Sequence, residues 1–164
     1  MVQLVPMQAV EFETFLARDI LEYAQENIRA GYWTAAEAAE KSRAAHEHLL
    51  PQGMGTPDHY FFSIRADDVP QAVGVVWLAI RRESAEPSGF IYDLFIDEPS
   101  RGKGIATQAM RALEETAKAL GLQALYLHVF AHNQTARALY DKLGYQVTSL
   151  NMVKMLTRQG RKSE

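Results

Sequence analysis

The sequence predicts an α+β protein in which a mixed, mostly antiparallel sheet is flanked by helices. Three observations carry this. The chain opens with two stretches whose apolar residues recur at three and four, the period of a helix face. Residues 60–96 then hold three runs of branched and aromatic residues separated by turn-formers, which read as neighbouring antiparallel strands. After residue 97 the order becomes helix, strand, helix, strand, and returning to a sheet across a helix needs a parallel crossover.

Val2 to Val5 is a short apolar strand stopped by Pro6. From Val10 to Ala30, Phe12, Phe15, Leu16, Ile20, Tyr23, Ala24 and Ile28 share a face, so the segment is a helix, ended by Gly31. Thr34 is the expected cap of a second, alanine-rich helix, with Glu37 completing a capping box. That helix runs to about Leu50, where Pro51, Gly53, Gly55 and Pro57 enforce a loop. Tyr60 to Arg65 is a strand, with Asp67, Asp68 and Pro70 as its turn. Ala72 to Arg82 is a strand whose near-continuous apolar run marks it as central. Ser84 to Ser88 leads into a third strand, Phe90 to Ile96, which Asp97-Glu98-Pro99-Ser100 breaks. Ile105, Ala109, Met110, Leu113, Ala117 and Leu120 define the next helix, closed by Gly121. Leu125 to Phe130 is a buried strand, Asn133 caps a short helix through Lys142, and Gly144 stops it. Tyr145 to Val147 and Met152 to Leu156 are expected as the last strands, and Arg158 to Glu164 is a polar tail.

A chain of 164 residues implies a single domain, 1–164, able to bury a substantial core. A net charge of −3 gives no ground for general affinity for nucleic acid. The charge is uneven: residues 1–60 carry four Lys/Arg against nine Asp/Glu, a solvated helical face or a lobe that favours a cationic substrate. The absence of cysteine excludes disulfides, thiolate metal sites and a cysteine acyl-enzyme. The five histidines show no metal-ligand spacing, so no metal is expected. No apolar run could span a membrane and the first twenty residues lack a leader pattern, so a cytoplasmic location is expected.

The stretch from Ile91 to Thr107 draws the most attention. A strand passes through a short loop into a helix whose start carries Arg101, Gly102, Lys103 and Gly104. The first N–H groups of a helix lack partners within it, and the aligned peptide dipoles make that end partly positive. Glycines let an anion approach the backbone, and Arg101 and Lys103 add full charges. The alternative is that the glycines only serve a tight turn. Lys103 is followed by Gly104 rather than Ser or Thr, so this is not a P-loop. Thr107 stands where a dinucleotide fingerprint needs its third glycine.

Arg-x-x-Gly-x-Ala across Arg101 to Ala106 resembles the acetyl-coenzyme A signature of the GNAT superfamily of N-acetyltransferases. The preceding I-Y-D-L-F-I and the later N-Q-T-A-R-A-L-Y-D-K-L-G-Y resemble the same family's strand and second cofactor segment, so the likeness covers about Gln71 to Val147. The resemblance implies the GNAT (acyl-CoA N-acyltransferase) fold, with 71–147 as the acetyl-CoA-binding core and 1–60 as a helical acceptor-side region. It implies that Leu94, Phe95 and Ile96 offer backbone groups to the pantetheine arm. It also implies that Arg101, Gly102, Lys103, Gly104, Ile105 and Ala106 wrap the pyrophosphate. Thr107 either adds a hydroxyl there or bonds its own backbone. Asn133, Ala136 and Tyr140 share a helix face; the resemblance puts Asn133 and Ala136 at the cofactor and Tyr140 by the thioester sulfur.

Tyr140 is then the acid for the departing thiolate, or else a core residue with its hydroxyl tied to backbone. Asp93 is the base that takes the amine's proton, or else a structural carboxylate. Many relatives carry a carboxylate one position earlier, where this chain has Tyr92. Glu22 and Glu26 share a helix face and either bind a cationic acceptor or are solvated, and His59 could line the acceptor cleft. The function implied is N-acetyltransfer from acetyl-CoA, as co-substrate, directly to a primary amine of a small molecule or peptide. The rivals are transfer of another acyl group and a non-catalytic coenzyme A-binding regulatory module. Nucleic acid and membrane are not expected as partners, and a homodimer is left open.

Overall fold

The computed structural model describes residues 1–156. Its elements are β1 (Val2–Pro6), α1 (Ala9–Arg29), α2 (Ala38–Leu49), β2 (His59–Ala66), β3 (Val69–Arg81), β4 (Ser88–Ile96), α3 (Ile105–Ala119), β5 (Leu125–Leu127) and α4 (Gln134–Lys142). The strands form one sheet in the order β1-β2-β3-β4-β5. Every pairing is antiparallel except β4 with β5, which is parallel across α3. The α+β expectation, mostly antiparallel with one crossover, is borne out.

Most boundaries lie within two or three residues of the sequence reading. α1 ends at Arg29, and Gly31 just beyond it turns the chain with a φ of 80° that suits glycine. The Thr34 capping box forms in half: Glu37 accepts from Thr34 N–H at 3.0 Å, and regular helix begins at Ala38. Asn133 caps α4 as expected, its Oδ1 accepting from Ala136 N–H at 3.1 Å.

Two expectations fail. β5 ends at Leu127 instead of Phe130. Neither Tyr145–Val147 nor Met152–Leu156 pairs as a strand; this part of the chain stands away from the sheet, with Val147, Leu150, Met152, Val153, Met155 and Leu156 all 60% exposed or more. Their strand-like composition records a preference that only pairing with an edge realises, and they do not pair with the outer edge of β5. The tail Arg158–Glu164 lies outside the described residues.

The two faces of the sheet pack against different helices. One buries Ile64, Val73, Val76, Leu78, Ile91 and Ile96 against Ala109, Met110 and Leu113 of α3. Met110 and Leu113 are fully buried, each contributing about 1.5–3 kcal/mol by leaving water. The other packs Phe61 and Trp77 on Phe12 and Phe15 of α1. β3 and β4 lie closely enough to require glycine at 74: a Cβ there would stand 2.2 Å from the Phe95 carbonyl oxygen.

Candidate active site

The site begins where the sheet comes apart. β4 pairs with β5 only over Gly89–Ile91 and Leu125–Leu127, yet continues to Ile96. From Tyr92 onward one edge of β4 has no strand beside it. Its other edge carries a bulge at the same place: Leu78 faces Ile91 while Trp77 faces Asp93, so Tyr92 is an extra residue. The bulge puts two successive side chains on one face. Ile91, Leu94 and Ile96 point to the α3 side, whereas Tyr92, Asp93 and Phe95 point to α1.

Just beyond β4 the chain turns through Glu98–Ser100 into α3. Gly102 and Gly104 have φ of 73° and 74°, and a Cβ built on either meets no atom within 4 Å. Gly104 is the N-cap and no side chain caps the helix, so the N–H groups of its first turn face open space. Arg101 Nε donates to the Ile96 carbonyl at 2.8 Å and Lys103 Nζ to that of Pro99 at 2.9 Å, bracing the loop in a concave form. Ile105 is buried and Ala106 packs on the same core, so these two fix the helix while the glycines stay open. Thr107 is half-buried in the first turn.

Asp93 lies in a cluster of charges, its side chain 16% exposed. Arg18 Nη2 of α1 donates to its Oδ2 at 2.6 Å, and the Arg18 guanidinium sits 3.7 Å from the Phe95 ring centroid. Arg18 Nε and Nη1 are buried without a hydrogen-bond acceptor, with Glu22 Oε2 3.9 Å from Nε. On the next residue of α1, Asp19 Oδ2 lies 2.8 Å from Nε2 of His46, while His46 Nδ1–H donates to the Ser42 carbonyl at 2.8 Å. Burial pushes the Asp93 carboxyl up to about 7, reinforced by the Asp19 charge and opposed by Arg18. Burial alone would lower His46, but Asp19 and the Ser42 carbonyl outweigh it and the net shift is upward.

Tyr140 of α4 packs against the α3-side core and edge-on to Tyr145 at 5.6 Å. Burial, with a smaller push from the Asp93 charge, raises its hydroxyl to about 12, so it stays protonated at neutral pH. A cavity of about 860 Å³ opens outside β5, between α3, α4 and residues 143–153. Tyr140, Phe130 and His132 line it, whereas Arg101 to Thr107 do not.

Two acidic residues of α1 are not simply solvated. Glu22 is half-buried and its carboxyl is raised by burial. Glu26 is in direct contact with His132 through Oε2 and Nε2, tying α1 to the segment before α4. His59 accepts from Trp77 Nε1–H at 2.9 Å and stacks on Tyr92, and burial lowers its pKa. Arg18, Asp19 and His46 were missed from sequence. The usable signal was that Arg18 and Glu22 fall three and seven residues after Phe15, placing charges on the helix's apolar face. Among the described residues no group of His, Asp or Glu could hold a metal ion, and no helix is long and apolar enough to cross a membrane.

A sheet split beside a glycine-rich, uncapped helix start, with a buried carboxylate and a tyrosine at the split, defines an acyl-transfer fold. The sequence matches the acetyltransferase (GNAT) family over residues 23–145. It is 41% identical over 155 residues to YycN, an uncharacterized N-acetyltransferase of Bacillus subtilis (strain 168), covering 94% of this chain and 99% of that one. It is also 41% identical over 150 residues to YdgE, an uncharacterized N-acetyltransferase of the same organism, covering 92% and 95% of the two chains. The crystal structure of YycN from Bacillus subtilis superposes with a TM-score of 0.92 at 40% identity, over 96% of this chain and 100% of that one. The chain belongs to the acetyltransferase (GNAT) family and is an acetyltransferase enzyme.

Proposed function

We propose that the protein transfers acetyl from acetyl-coenzyme A directly to a primary amine, with residues 71–147 holding the cosubstrate and residues 1–60 shaping the acceptor side of a single domain. The observation that carries this is the conjunction of the split and the open loop. β4 presents an unpaired edge from Tyr92, and the uncapped start of α3 follows within ten residues of its end. An extended arm with amide groups suits such an edge, and a pyrophosphate suits the loop. The residues present fit acetyl-coenzyme A on both counts, and when bound it supplies the activated acetyl thioester.

The rest belongs to the chain's own groups. The backbone of Leu94, Phe95 and Ile96 lines the arm, and first-turn N–H groups with Arg101 and Lys103 hold the phosphates. Asn133 and Ala136 at the head of α4 close over the arm. An acceptor ammonium has an ordinary pKa near 10.4 and must lose a proton before it can attack. Asp93 near neutrality is matched to take it, directly or through water. Tyr140, held neutral, would give its proton to the leaving sulfur as the thioester bond breaks and regain one from the attacking nitrogen, which must shed it to become an amide. The new amide bond and the free thiol complete the exchange.

The acceptor is a small amine or a peptide. Release of thiol from acetyl-coenzyme A, followed over polyamines, aminoglycosides, amino acids and peptides, tests the reading. Release that depends on the amine, with a matching gain of one acetyl group, is expected. Tight binding of coenzyme A with no transfer to any amine would favour a non-catalytic module instead, and faster release from a longer acyl thioester would favour another acyl donor.

A further inference from the structure

The pair Asp19–His46 has no part in the chemistry just described, yet Asp19 follows Arg18, the partner of Asp93, and His46 packs on Trp77, which faces Asp93 across the sheet. His46 is 5% exposed and both its ring nitrogens face acceptors, Ser42 O and Asp19 Oδ2, each at 2.8 Å. Both can donate only if the imidazole carries its second proton, so the ring sits as a buried cation against the Asp19 anion. Ser42, fully buried, fixes the α1–α2 contact by donating its hydroxyl to the Ile20 carbonyl at 2.5 Å. His46 packs edge-on to Tyr23 and tilted against Trp77, and Trp77 faces Asp93 across β3 and β4.

The charged groups facing Asp93 come from several elements. α1 supplies Arg18, Asp19 and Glu22, and α2 supplies His46. β2 supplies the neutral His59, stacked on Tyr92, and α4 the neutral Tyr140. Arg101 faces the other side of the site over the Phe95 ring, at 5.4 Å. Arg18 and His46 are the cations of the inner cluster, and Asp19 and Asp93 the anions they balance. Without the His46 charge, Asp19 would act on Asp93 as a bare like charge in a poorly solvated space.

We propose that His46, acting through Asp19, is a positioning residue that sets the protonation state of Asp93, so that α2 controls the base without touching the substrate. The inference rests on Asp93 as the base for its catalytic meaning, but its electrostatic content stands apart from that. Two unit charges a few ångströms apart in a partly buried site interact by about one pH unit or more. His46→Gln removes the cation and leaves Asp19 ionised, so Asp93 should titrate about one unit higher. In Asp19→Asn the buried His46 loses its counter-ion and becomes neutral, so the whole pair is silenced. Adding His46→Gln to that variant should then change nothing.

The test follows the Asp93 carboxyl by NMR in chains labelled with ¹³C-carboxyl aspartate, its signal assigned by its loss in Asp93→Asn. An upward shift in His46→Gln that vanishes in the Asp19→Asn background supports the proposal. Unchanged titration in His46→Gln, or a shift that persists in full without Asp19, overturns it. Should His46→Gln not fold, Asp19→Asn alone decides: Asp93 must titrate at or below the parent's pH, and a rise overturns the proposal. The acid limb of acetyl transfer is measured alongside. If the Asp93 signal moves and the limb does not, the electrostatic coupling stands and the assignment of Asp93 as base falls.

Discussion

Arg18 Nη2 donates to Asp93 Oδ2 at 2.6 Å, a charged hydrogen bond that spans seventy-five residues of chain and joins α1 to the split in the sheet. Its guanidinium also lies on the Phe95 ring, so the cation is held from two directions. An adjacent cation typically depresses a carboxyl by about 1 to 3 pH units. Arg18→Met should therefore raise Asp93 well above its present value of about 7 and move the acid limb of the rate profile upward. A limb at the parent's pH would show that Arg18 only packs against Phe95.

The raised Asp93 carboxyl also makes stability depend on pH. Between its ordinary value of 3.8 and about 7, the folded chain keeps a proton that the unfolded chain has lost. Stability should fall as pH rises through that window. His46, raised above 6.5, adds stability below that pH and loses it as pH rises past its folded value. Asp93→Asn has no such proton to lose. Urea midpoints from pH 4.5 to 7.5 should decline less steeply in the variant, and parallel declines would mean that Asp93 is ionised throughout.

Tyr140→Phe keeps the ring against the core and edge-on to Tyr145, so melting temperature and coenzyme A affinity should change little. General acid catalysis is worth about 10²- to 10⁴-fold, and single-turnover acetyl transfer should slow by that order. A rate within about threefold of the parent, below that range, would make Tyr140 a packing residue.

At Gly104 the expected effect divides into two parts. The φ of 74° makes any L side chain strained there, so Gly104→Ala should cost about 1 kcal/mol of stability. Its Cβ meets no protein atom, and it would stand in the open space before the first turn of α3. Calorimetry well below the melting temperature should show a loss of coenzyme A affinity, and the parent's affinity should weaken with added salt. A variant that melts earlier but binds as well as the parent would place the phosphates elsewhere.

The sheet and helix segments were legible because each declares itself locally: Ala72 to Arg82 by an unbroken apolar run, α4 by Asn133 and Gly144. The helix start at Gly104 was legible because two glycines ahead of an apolar helical repeat mark a turn into a helix. What sequence could not supply were choices of partner across the chain. Asp93 reads as a carboxylate on a strand; that Arg18, Asp19 and His46 surround it follows only once α1 and α2 lie on that face of the sheet. β5 stops at Leu127 although β4 runs on to Ile96: the two part at the bulge, a choice of pairing that the strand composition of Val129 and Phe130 does not state. The residues at 145–156 were misread through composition alone, which states a preference and names no neighbour.

The extra residue at Tyr92 makes the chemistry depend on counting. In a regular strand Ile91 and Asp93 would share a face, and the carboxylate would be directed at Met110 and Leu113 of α3. One added position changes the parity, so every side chain from Asp93 onward belongs to the opposite alternation from those before Tyr92. Tyr92→Phe keeps both the count and the ring against Trp77, so it should be mild. Deleting Tyr92 removes the bulge and puts Asp93 directly after Ile91, so ordinary alternation still turns the carboxyl to α1 while β4 pairs regularly with β3. The sheet thus holds its reactive group by phase: with Tyr92 in place, the bulge alone keeps Asp93 on the side of Arg18.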